Sequence, residues 1–146
     1  MVERGRRRAV ACRSILLLYN SAISNLTSMK TGTDLINEAK ARITEVTAAD
    51  VEALLAQGKR AVLLDVREPN EYNLGHLPGA IHLPRGQLEN RIESLVPPSS
   101  TVIVYCGGGS RSALAADTLQ QMGYTDVSSM CGGFRSWAIN GAPVEE

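Results

Sequence analysis

The chain has 146 residues, 15 of them basic and 15 acidic, for a formal net charge of zero. That length suits one domain with a real core. The charge is uneven: residues 1–30 carry net +5 and the remainder net −5, so the globular part is mildly acidic, lacks a basic patch and is a poor match for nucleic acid. Three cysteines, Cys12, Cys106 and Cys131, are too few and odd in number for a disulfide framework and fit a reducing compartment. No CxxC pair or Cys/His cluster has zinc-ligand spacing, so no metal site is expected.

Residues 1–42 read as an N-terminal extension. Arg6-Arg7-Arg8 precede a short apolar stretch, Ile15 to Tyr19. It is far short of the ~20 residues that span a bilayer, and at or below the lower limit for a signal peptide. No apolar segment precedes Cys12, which argues against a lipidated cysteine. A disordered tail, or a natural start at Met29, is the expectation, with export through the basic segment as the alternative. The cytoplasm is the expected location, with no membrane as a partner. Asp34 to Arg42 could add an amphipathic helix packed on the domain.

Residues 43–146 read as the domain, in which apolar runs alternate with helical patterns. Ile43 to Val46 is a short strand. Thr47 is placed to cap a helix carrying Val51, Leu54 and Leu55 on one face, with Asp50 in its first turn and Gly58 at its end. Ala61 to Val66 is a continuous apolar run with one acid, as in a buried parallel strand. A helical turn over Pro69 to Leu74 and a short strand at Ile81 to Leu83 follow, then a helix over Gln87 to Leu95. Next come the Thr101 to Tyr105 strand, a glycine loop, a helix over Ser112 to Met122, a strand at Asp126 to Met130, and a last helix over Phe134 to Asn140. The alternation predicts an α/β domain: a five-stranded, mostly parallel sheet with helices on both faces. In such sheets sites lie at the carboxyl ends of the strands, where both Cys106 and Cys131 fall.

Cys106-Gly107-Gly108-Gly109-Ser110-Arg111-Ser112 is the stretch that carries chemistry. The amides of a glycine loop at a helix start can converge on one anionic atom. Such surroundings lower a thiol from ~8.5 to roughly 3.5–7.5, which marks Cys106 as a nucleophile rather than a buried, inert cysteine. Arg111 can stabilise an anion or brace the loop. Ser110 and Ser112 can donate to the sulfur, and Ser112 can instead cap the helix, the commoner use. Asp65 and Arg67, two apart after a buried strand, suit architecture more than catalysis; Asp65 can orient the loop, and Arg67 can face the pocket or pair with Glu71. His76 fits a buried histidine bonded to backbone better than a base. Trp137 with Phe134 suits core packing. Cys131 suits an apolar filler more than a second, resolving thiol.

Three motifs in order resemble the rhodanese-like family of sulfurtransferases, over about residues 43–144. They are Leu64-Asp65-Val66-Arg67-Glu68 with Glu71-Tyr72 and Gly75-His76-Leu77-Pro78-Gly79-Ala80; Tyr105-Cys106 with its glycine loop and Arg111-Ser112; and Gly132-Gly133-Phe134 with Trp137. The resemblance implies a rhodanese-like fold and a persulfide mechanism without cofactor, with Cys106 and Arg111 catalytic. Gly107, Gly108, Gly109, Ser110, Ser112 and Arg67 would bind substrate, and Asp65 and His76 would support the site. Donors would be thiosulfate or glutathione persulfide. Acceptors would be cyanide, glutathione, thioredoxin or a sulfur-carrier protein. The alternatives are a regulatory, persulfide-carrying module, or a phosphatase like the cell-cycle dual-specificity enzymes. Those need Cys-x5-Arg, whereas this loop is Cys-x4-Arg. Many thiosulfate-using members carry a cation inside the loop. Here those positions are neutral, which predicts weak use of thiosulfate and better use of persulfides.

Overall fold

The computed structural model describes residues 28–146. The expectations for the basic segment and for Cys12 lie outside them. Helix α1 (Gly32–Arg42) leads into strand β1 (Thr44–Val46), followed by α2 (Ala48–Ala56), β2 (Val62–Asp65), α3 (Pro69–Asn73) and β3 (Ile81–His82). A 3-10 turn (Arg85–Gln87) runs into α4 (Leu88–Leu95), then β4 (Thr101–Tyr105), α5 (Ser110–Gln121), β5 (Asp126–Met130) and α6 (Gly133–Ile139).

The five strands form one sheet in the order β1-β5-β4-β2-β3, and every pairing is parallel. Alternation along the strands sorts the core into two layers. Leu64, Val102, Val104 and Val127 face Leu88 and Ile92 of α4 and Ala115, Ala116 and Leu119 of α5. Leu63, Ile103, Tyr105 and Met130 face Ala48 and Val51 of α2 and Trp137 of α6. Helices therefore cover both faces, and β4, the central strand, is buried from Val102 to Tyr105. Its carboxyl end delivers Cys106 to the middle of the sheet edge where open α/β sheets keep their sites.

Local signals account for several boundaries. Thr47 caps α2 through a capping box: its side chain accepts from Asp50 N, and Asp50 accepts from Thr47 N. Pro69 opens α3. One compact unit runs from Asp34 to Glu146 and takes in α1 from Asp34 onward. Ala39 of α1 is fully buried, and Arg42 donates to both oxygens of Asp117 at 2.9 and 2.8 Å. Helix α5 starts at Ser110, two residues before the expected position, because Gly109 adopts φ +109° and serves as its N-cap. No helix among the described residues is long and apolar enough to cross a membrane.

Candidate active site

The strand end, the glycine loop and the first turn of α5 fold back on the Cys106 sulfur. The thiol is 1% exposed. Its sulfur accepts from the amide of Gly109 at 3.1 Å and of Ser112 at 3.4 Å, and lies 3.5 Å from Ser112 Oγ. Burial works against ionisation. Hydrogen bonds from the Ser112 side chain and from the amides of Ser112, Gly109 and Gly108 outweigh it, so the thiol sits below its ordinary value. Ser112, expected first as a cap, lies inside the first turn instead and turns its hydroxyl to the sulfur. Behind it Ser129 of β5 donates to Ser112 Oγ at 2.8 Å, and both serines are 0% exposed.

Helix α6 grips the outside of the loop. The amide of Phe134 donates to the Cys106 carbonyl at 2.8 Å, and that of Arg135 to the Gly107 carbonyl at 3.2 Å. The approach is so close that a Cβ on Gly133 would meet the carbonyl oxygen of Cys106 and the backbone of Gly107, and Gly133 also has φ +55°. Gly133 is thus a contact between backbones that only glycine permits, and a Cβ on Gly132 would run into the Ser136 side chain.

Arg111 points its guanidinium at Glu71 of α3, with Nη1–Oε2 at 2.7 Å and Nη2–Oε1 at 2.9 Å. This clamp ties the far end of the loop to the segment after β2. Of the two options the sequence leaves for Arg67, the pocket or Glu71, the second is taken up by Arg111, and Arg67 has another partner. It is 3% exposed, donates to Asp65 through Nε and Nη2, donates to the Gly75 carbonyl at 2.7 Å, and lies over the rings of Phe134 and Tyr105. Arg67, expected to bind substrate, is thus a guanidinium closed over by Asp65, a carbonyl and two rings, a setting that holds the architecture together. Asp65 also accepts from the Arg67 amide at 2.9 Å.

The remaining expected residues are distributed as follows. Gly107 is half-buried, Gly108 and Ser110 are exposed, and Gly109 is buried beneath the sulfur. His76 Nδ1 lies 3.1 Å from the Tyr72 carbonyl oxygen, and its ring stacks on Tyr72 at 3.8 Å. His82 stacks on Tyr72 as well, at 4.4 Å. The Trp137 indole donates to the Pro143 carbonyl at 2.7 Å. Cys131 donates to the Val46 carbonyl of β1 at 3.2 Å; β1 adjoins β5 on the side away from β4. Among the described residues no cluster of His, Cys, Asp or Glu could hold a metal ion.

Comparisons with known proteins supply the family. A model described as the rhodanese-like domain matches residues 47–140. The chain belongs to the rhodanese-like family. It is similar to a sulfurtransferase from Allochromatium vinosum, 33% identical over 102 residues, which cover 70% of this chain and 94% of that one. Among solved structures, a protein of unknown function and possible tyrosine phosphatase from Rhodopseudomonas palustris superposes with a TM-score of 0.73 at 36% identity, covering 80% of this chain and 96% of that one. The rhodanese-like domain of an Anabaena protein superposes with a TM-score of 0.66 at 31% identity, covering 69% and 77%.

Two residues of this rhodanese-like site went unread in the sequence. The sequence does not show Arg111 as the partner of Glu71, and it shows Ser129 only as part of a strand. The available signal for Ser129 was its position: alternation with Val127 puts it on the inward face, where an apolar residue is expected.

Proposed function

We propose that this protein is a sulfurtransferase that carries sulfane sulfur as a Cys106 persulfide. The observation that carries the reading is the short amide cradle, with Gly109 and Ser112 N–H aimed at one sulfur atom. The Cys106 thiolate attacks the outer sulfur of a donor. With thiosulfate, the S–S bond of the donor breaks, its electron pair leaves with sulfite, and Cys106–S–S⁻ remains. With glutathione persulfide the leaving group is the glutathione thiolate. An acceptor then attacks the outer sulfur: cyanide gives thiocyanate, a thiolate gives a new persulfide, and the Cys106 thiolate returns. A reducing compartment such as the cytoplasm suits this chemistry. Glutathione, thioredoxin or a sulfur-carrier protein would serve as acceptor.

The donor preference follows from charge. The loop from Gly107 to Ser110 has no cation, Arg111 is neutralised by Glu71, and Arg67 is buried against Asp65. A thiosulfate dianion finds little uncompensated positive charge, so persulfides are the better donors. A phosphoryl group needs a wider loop and a free guanidinium; four residues separate Cys106 from Arg111, and Glu71 occupies that guanidinium.

Intact mass after incubation with glutathione persulfide, or with thiosulfate, tests the reading. The expected result is a gain of one sulfur, absent in Cys106→Ser and removed by cyanide or thiol. No adduct from either donor overturns it and directs attention to an aryl phosphate.

A further inference from the structure

Ser129 is a polar residue at a core position. Its cross-strand neighbours are Val104 of β4 and, on the outer side, the exposed Glu45 of β1, while Val127 on the same face belongs to the core layer of Ala115 and Ala116 of α5. Burying a hydroxyl there costs free energy unless it is bonded. Its bond is to Ser112 Oγ at 2.8 Å, and Ser112 Oγ is in turn 3.5 Å from the Cys106 sulfur.

The protons of this ladder can be counted. Ser129 O–H donates to Ser112 Oγ. If Cys106 is a neutral thiol donating to the same oxygen, the Ser112 proton has no acceptor in the ladder. If Cys106 is a thiolate, Ser112 O–H donates to the sulfur, and both hydroxyl protons are used. Both states make two bonds within the ladder, but only the ionised state leaves no proton of the ladder without an acceptor in it.

We propose that Ser129 is a positioning residue: its hydroxyl, by donating to Ser112, turns the Ser112 proton onto the Cys106 sulfur and so holds that sulfur as a thiolate. The charged groups around the thiol leave room for such a device. Arg111 of α5 is clamped by Glu71 of α3, and the Asp65–Arg67 pair after β2 is closed on itself. Helix α6 brings Arg135, exposed, with its amide on the Gly107 carbonyl. At the end of β5, the Cys131 thiol is bonded to Val46 O. Hydrogen bonds therefore carry much of the stabilisation of the anion, and the direction of the Ser112 proton matters. The inference rests on Cys106 as the nucleophile of the proposed sulfur transfer. Its test reads ionisation, which needs no donor or turnover, so failure of the ladder and failure of sulfur transfer are seen separately.

The experiment is the pH dependence of iodoacetamide labelling of Cys106 in the full chain, read on the Cys106 peptide by mass spectrometry. Ser129→Ala should move the midpoint up by about half a unit, roughly a threefold loss of rate below it. Ser129→Thr, which keeps the hydroxyl, should restore the original midpoint. In a Ser112→Ala background, Ser129→Ala should change nothing, because the relay is already cut. An unchanged midpoint in Ser129→Ala overturns the proposal. So does a shift of equal size with and without Ser112, which a merely structural effect would produce. If alanine at 129 unfolds the protein, the comparison of Ser129→Thr with the isosteric Ser129→Val isolates the hydroxyl, and equal midpoints in that pair overturn the proposal.

Discussion

Glu71 and Arg111, forty residues apart, meet fork to fork at 2.7 and 2.9 Å and close the Cys106 loop from outside. The hydrogen bond from Arg111 holds the Glu71 carboxyl down at about 2 against a usual 4.5. A folded-state value below the unfolded one contributes stability that is present above the unfolded value and lost as pH falls through the folded one. The pair is about a third exposed, so screening keeps the contribution to about 1 kcal/mol. Urea unfolding should therefore show Glu71→Gln less stable than wild type by about 1 kcal/mol at neutral pH. The difference should close as pH falls from about 4.5 towards 2. A pH-independent difference would refute the clamp as an ionic one.

Gly108 offers the place to test donor preference. A Cβ there meets nothing within 4 Å, whereas a Cβ on Gly107 would come 3.2 Å from the Arg111 guanidinium. Gly108→Lys keeps the amide and adds an uncompensated cation. Steady-state kinetics should show kcat/KM for thiosulfate rising about threefold to tenfold, with glutathione persulfide little changed. No rise would show that loop charge does not select the donor.

Gly133 is the position at which the two backbones touch. Alanine there would need the left-handed conformation and would press its Cβ 2.7 Å from the Gly107 carbonyl carbon. The expected cost of Gly133→Ala is about 3 kcal/mol or more in chemical denaturation, with loss of the low-pH labelling of Cys106. Gly86→Ala, with open space around it, should stay within about 0.5 kcal/mol of wild type. Equal stability of the two variants would contradict the close approach.

Much of the fold was legible because its signals are periodic and local. The alternation of apolar runs with helical spacing located every strand to within about two residues, and Thr47 with Asp50 announced α2. The start of α5 was misplaced because a glycine at φ +109° can cap a helix without a polar side chain, so the first serine after it looked like the cap. The partner of Arg67 is open in the sequence for a related reason. The place of Arg67 two residues after Asp65 suits architecture but leaves a pocket or Glu71 within reach, and only the turn of the chain after β2 shows it bonded to Asp65 and lying over Phe134.

By itself the sequence determined where Cys106 falls, the length and neutrality of its loop, and the strand end that presents it, because these are set by neighbouring residues and short-range backbone geometry. Only the tertiary structure decided which acid answers Arg111, that α6 holds the Cys106 and Gly107 carbonyls, and that Ser129 stands behind Ser112. Those relationships join residues on different elements. Their distances depend on how strands are ordered in the sheet and how helices settle on it, which no spacing along the chain encodes.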